Sequence, residues 1–169
     1  MKNKLFLIIT LFAVTLTFAQ NTSEIGFNEK KEVLLNGQIV DTTTDLETIK
    51  SLLGEPTLYK EYPTGKVNYQ YPELGIAIHL VNGKLTFIGA NFNWDGDKTF
   101  PEASYTGKFS IGDTTIDMNS TPEVVSKIEV ITLTPTFMGM YMTNPKENKT
   151  VVIMAFKDEK VTQVGFEFQ

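Results

Sequence analysis

Cysteine and arginine are both absent from the 169 residues, and histidine and tryptophan occur once each, as His79 and Trp94. Without cysteine there is no disulfide, no thiolate ligand and no residue to carry lipid at a signal-peptide cut, so a packed core must supply the stability. Without arginine the planar fork that reads phosphates and guanine edges is missing. A lone histidine cannot build a multi-histidine metal site. No long apolar run follows residue 18, which leaves nothing resembling the roughly 20 residues a membrane-crossing helix needs.

The one apolar run present, Leu5 to Phe18, is 14 residues long, follows Lys2 and Lys4, and precedes Ala19 and Gln20. This pattern predicts a Sec signal peptide over residues 1–19, cut after Ala19 with Thr17 three positions before the cut. The expected product is periplasmic or secreted, with no membrane span and no lipid anchor. Removing Lys2 and Lys4 from 15 basic residues leaves 13 against 20 acidic ones, a formal charge of −7. Such a chain repels polyanions, so nucleic acid is excluded as a partner and another envelope or secreted protein is expected.

Residues 20–31 are polar and aperiodic, which predicts a flexible leader before a domain over 32–169. Val33-Leu34-Leu35, Asn36-Gly37 and Ile39-Val40 spell a hairpin. Thr44 with Glu47 reads as a capping box, followed by Leu46, Ile49, Leu52 and Leu53 on one helical face until Gly54 and Pro56. Alternation over Val67–Tyr71, Ile76–Leu80 and Lys84–Phe92 then predicts strands.

The same plan recurs at an offset of 76 positions, giving two units, 32–92 and 108–169. Leu35 matches Ile111, Asp41 matches Asp117, Ile49 matches Val125, and Ser120 with Glu123 repeats the capping box. Asn82-Gly83-Lys84 lies over Asp158-Glu159-Lys160. One apolar helical face per unit predicts an α+β fold, each unit a hairpin, a helix and an antiparallel sheet with the helix on one face.

Leu53-Gly54-Glu55-Pro56, the strand Tyr69-Gln70-Tyr71, Leu74-Gly75-Ile76, Asn82-Gly83-Lys84, and the later Phe100-Pro101 and Gly107 to Gly112 together resemble an exported bacterial domain family of unknown function. More loosely, a helix ending in Leu-Gly-Glu-Pro before a tyrosine-bearing strand is similar to the tandem repeats of beta-lactamase inhibitor proteins and of the outer-membrane assembly lipoprotein E. That resemblance implies a protein-binding module. The chain departs from these repeats at Glu129-Val130-Ile131-Thr132, where Leu-Gly-Glu-Pro does not recur, and it lacks their cysteines and lipobox.

No nucleophile–base pair is legible, so an enzyme is not expected and no cofactor is implied. Asn91, Asn93, Asp95, Gly96, Asp97 and Glu102 have the spacing of a calcium loop, although Asp95-Gly96 also explains itself as a turn. Met138, Met140 and Met142 alternate on a predicted strand, as copper-binding thioethers do, but core packing is the favoured reading of them. The aromatics expected outside the core, Trp94, Phe137 and Tyr141, are the candidate partner contacts. The expected function is an exported protein-binding module, inhibitor or immunity-like in its sharpest form, with a small-ligand or metal-ion (calcium or copper) binder as the alternative.

Overall fold

The computed structural model describes residues 23–169, and the expected signal peptide lies outside them. Thirteen strands, one α-helix and one 3-10 segment form two sheets. The smaller sheet has the order β3-β2-β1-β8-β9, with β1 Glu24–Phe27, β2 Val33–Leu35, β3 Gln38–Val40, β8 Lys108–Ile111 and β9 Thr114–Ile116. The larger has the order β10-β11-β12-β13-β7-β6-β5-β4. Its strands are β4 Leu58–Glu61, β5 Lys66–Tyr71, β6 Ile76–Val81, β7 Lys84–Asn91, β10 Thr134–Pro135, β11 Met140–Met142, β12 Thr150–Lys157 and β13 Lys160–Phe168. Every pairing in the larger sheet is antiparallel; in the smaller one, β1 and β8 run parallel.

The expected α+β architecture is therefore overturned: strand residues make up 43% and helix 10%. Its first error lies at the helices. Helix α1, Leu46–Leu53, forms, but Asp45 and not Thr44 is its N-cap, accepting the Thr48 N–H at 2.8 Å. Thr44 instead accepts the Asp41 N–H at 3.0 Å. The matching segment of the second unit contracts to a 3-10 helix over Pro122–Lys127, whose cap Thr121 makes no side-chain bond. Six residues including the β-branched pair Val124-Val125 cannot repay the cost of nucleating an α-helix.

The second error lies in the layer that covers the large sheet. The hairpins β2–β3 and β8–β9 do not extend that sheet but leave it, and β1 joins them between β2 and β8. A second sheet, with α1 beside it, thus takes the place assigned to helices. The residues read as a flexible leader supply its central strand: Ile25 and Phe27 are buried. Four residues, Glu-Ile-Gly-Phe, are too few for a period to show against polar neighbours.

The core lies between the sheets. Phe166 of β13 stacks on Phe27 of β1 at 5.6 Å and on Phe109 of β8 at 5.5 Å, with interplanar angles of 13° and 10°. Phe109 continues edge-on to Phe92 and Tyr105. The Tyr105 hydroxyl bonds the carbonyls of Ser23 and Lys108 at 2.7 and 2.9 Å, clamping the start of β1, and burial raises its pKa to about 12. Gly107 passes so close to the Ser23 carbonyl that a β-carbon would collide with it and with the Tyr105 ring.

Gly107→Ala should therefore expel β1 and cost about 3 kcal/mol or more in a urea titration. Gly37→Ala, at φ 81 but with nothing within 4 Å, should cost only about 1 kcal/mol. Equal losses would show that Gly107 does not act through the Ser23 contact.

Candidate functional site

The outer face of the large sheet carries the exposed chemistry. Gly89 of β7 pairs with Gly165 of β13, and Phe87 lies across both, where a β-carbon on either would strike its ring. Two side chains of no size thus make a floor for one aromatic ring. His79 of β6 stacks on Phe87 at 4.7 Å, and Phe100 meets it edge-on at 5.8 Å. The connection after β7 folds back over this cluster: Asn68 Nδ2 donates to the Thr99 carbonyl at 2.9 Å and Gln70 Nε2 to that of Lys98 at 3.0 Å.

Short polar side chains shape this connection. Asp95 accepts from the Asp97 N–H at 3.0 Å and from Gln163 Nε2 at 2.9 Å. Burial works against its charge, but these bonds prevail and hold its pKa below the usual carboxylate value. Asp97 turns its carboxylate onto Thr99, and Trp94 Nε1 donates to the Asp97 carbonyl at 3.2 Å. The indole is thereby fixed along a groove of about 420 Å³ shared with Leu58, Gln70, Pro72, Lys98 and Phe100.

The calcium spacing does not become a calcium geometry. Asn91 is buried at the end of β7, with Nδ2 on the carbonyls of Glu102 and Ala103, while Asn93 Nδ2 reaches Met118 and Val161. Among the described residues no three acidic or imidazole side chains converge as a metal cage would require. The methionines separate as well. Met138, at φ 53, sits in the hairpin turn after Phe137, whereas Met140 and Met142 lie half-buried opposite Ala155 and Ile153.

Of the candidate contacts, Phe137 is 66% and Trp94 41% exposed. Tyr141 is half-buried, its ring edge-on to Phe156 at 5.6 Å. The sheet register puts Trp94 and Phe137 at the same end of the large sheet, because β7 and β12 end there and β11 and β13 begin there. Three strand spacings, about 14 Å, separate their backbones, and the indole turns the other way, toward β4. The structure thus gives two neighbouring apolar sites rather than one patch.

The sequence reading missed Leu58, Met118 and Met138, which are exposed at that same end. Asn93 Nδ2 on the Met118 carbonyl and the pairing of Leu58 with Gln70 place the first two there. Nothing in Leu58-Tyr59-Lys60-Glu61 signals an edge strand, since edges follow from topology. The one sequence signal that the adjacent apolar residues Leu58 and Tyr59 are exposed is the charged pair Lys60-Glu61 after them.

Residues 24–126 match the family described as a domain of unknown function, DUF7738, and the chain belongs to that family. No curated protein matches the chain. Among solved structures it is similar to an extracellular protein containing a SCP domain from Bacillus anthracis (12% identity, TM-score 0.47, 74% of this chain and 43% of that one). It is similar to a cysteine-rich secretory protein from Staphylococcus aureus (10%, 0.47, 75% and 42%), and to a DUF4309 family protein from Bacillus subtilis (10%, 0.47, 83% and 90%). The chain spans less than half the length of the first two. No helix among the described residues is long and apolar enough to cross a membrane.

His79 gives the site a pH signature. Burial first, and the Lys66 ammonium second, lower its pKa to about 4 against a smaller opposing pull from Asp97. The folded chain then refuses a proton that the unfolded chain accepts near pH 6.5. Stability should fall as pH drops from about 6.5 to about 4, by about 1.4 kcal/mol per unit at most. Urea midpoints at pH 6.5 and 5 should show this slope, and His79→Phe should flatten it; an unchanged slope would place its origin elsewhere.

Proposed function

We propose that the chain is an exported protein-binding module, inhibitor or immunity-like in its sharpest form. One observation supports this above the others: Leu58, Trp94, Met118, Phe137 and Met138 are all exposed at one end of the large sheet, although the chain has a full core elsewhere. Burying each large apolar side chain is worth about 1.5–3 kcal/mol. A partner that spans both neighbouring sites gains the gross energy an interface needs against the cost of association. Lys157, Asp158, Glu159 and Lys160 at the same end would form the polar rim typical of such contacts.

The groove beside Trp94 also supports a second reading, a small-ligand binder, because about 420 Å³ falls within the range of ligand pockets. The two differ in reach. A small ligand would use Trp94 and leave the hairpin tip, Phe137-Met138, without a role.

The test is capture from envelope extracts by the mature chain, compared with a Trp94→Ala, Phe137→Ala, Met138→Ser variant. Tyr141 is left in place because its packing on Phe156 would confound stability with binding. A single protein held by the parent and weakened about tenfold or more in the variant is expected. Equal retention by the two, or none by either, would remove the reading.

A further inference from the structure

Strand β4 is one of the two edges of the large sheet, and all four of its residues are exposed. The Tyr62 N–H bonds the Lys66 carbonyl at 2.9 Å, so the antiparallel alternation makes Lys60–Asn68 and Leu58–Gln70 the bonded pairs. The N–H and C=O groups of Tyr59 and Glu61 therefore point away from β5, and no turn or loop group among the described residues bonds them. Leu58 and Lys60 lie on the face that holds the Trp94 groove. Lys60 and Lys66 flank the Tyr62 ring at 4.9 and 5.8 Å, and Lys98 lines the groove. Glu61 projects to the other face and Asp97 is bonded to Thr99, which leaves Glu102 as the counter-charge at the groove.

We infer that β4 receives an extended segment of another protein as an added strand, with an apolar side chain in the Leu58–Trp94 groove and an acidic residue two positions away facing Lys60. This rests on the protein-binding reading and specifies its partner. Only an extended polypeptide offers the alternating donors and acceptors that Tyr59 and Glu61 leave open, and side chains two apart share one face of it. The three lysines select carboxylates in a chain whose formal charge is otherwise negative. A second copy is a poor occupant: pairing Tyr59 with Glu61 of that copy would set Lys60 directly against Lys60.

The test is selection of random octapeptides displayed on phage against the mature chain, followed by binding of the enriched synthetic peptides to three variants. Tyr59→Pro removes an N–H that bonds nothing in the fold, at an edge position where proline is tolerated, and circular dichroism would check that it folds. The enriched peptides should carry an apolar residue two positions from Asp or Glu. They should weaken about tenfold or more with Tyr59→Pro and with Trp94→Ala, and Lys60→Glu should turn the preference to Lys. Peptides that bind Tyr59→Pro as well as the parent would overturn strand addition. An envelope protein captured by the parent but indifferent to Tyr59→Pro would overturn this inference and leave the module reading intact; no capture and no enrichment would remove both.

Discussion

Phe166 is held between Phe27 and Phe109, and this three-ring stack joins the two sheets. Each contact adds about 0.5–1.5 kcal/mol beyond the area it buries. Its greater consequence is positional, because Phe27 and Phe109 come from β1 and β8, the one parallel pair in the smaller sheet. Parallel neighbours cannot be joined by a tight turn, and here about eighty residues of chain separate them. What holds them in register is the ring they share, together with Tyr105, which rests on Phe109 and bonds the Ser23 carbonyl. The first strand of the domain is thereby fixed by residues from its middle and its end.

That arrangement determines what the large sheet can show to solvent. Its inner face is filled by the second sheet, so the chemistry left for function lies on the outer face and at the strand ends. There the glycine pair Gly89–Gly165 draws Phe87 down onto the sheet, and His79 and Phe100 settle against it. Asn68 and His79 are cross-strand neighbours on β5 and β6, and Asn68 Oδ1 and His79 Nε2 are both buried without partners among the described residues. Unsatisfied groups of this kind weaken a fold by about 1–3 kcal/mol each. They lie under the connection that positions Trp94, so the groove is built over a seam that the rest of the structure must stabilise.

Local features of this architecture were legible in the sequence, and its layers were not. Asn36-Gly37 and Asn82-Gly83 announced their turns and adopt positive φ, and alternation found β5, β6 and β7. Positions 76 apart make equivalent bonds: Asp41 to Thr44 and Asp117 to Ser120, Leu85 to the Thr44 carbonyl and Val161 to that of Ser120. Whether a hairpin extends a sheet or founds another depends on what else can cover the core, and Glu24–Phe27 was hidden by its shortness. The site fared likewise. Trp94 and Phe137 stood out as aromatics among polar or turn-forming neighbours, whereas Leu58 acquires meaning only from being on an edge.

The four edge strands of the two sheets are not alike, and the difference argues for design rather than accident at β4. Strand β10 has two residues, one of them Pro135, which removes a donor and blocks addition. Strands β3 and β9 have three residues each, and Thr114 of β9 is bonded to Lys127 beyond it. Strand β4 is the longest of the four and lies beside the groove, so it combines free backbone with a place for a side chain. An edge kept only against aggregation would be shortened or covered as the others are. Of its two charged residues, Glu61 projects to the other face and Lys60 lies on the groove face, where it opposes a second copy of this chain while admitting a strand of the opposite charge.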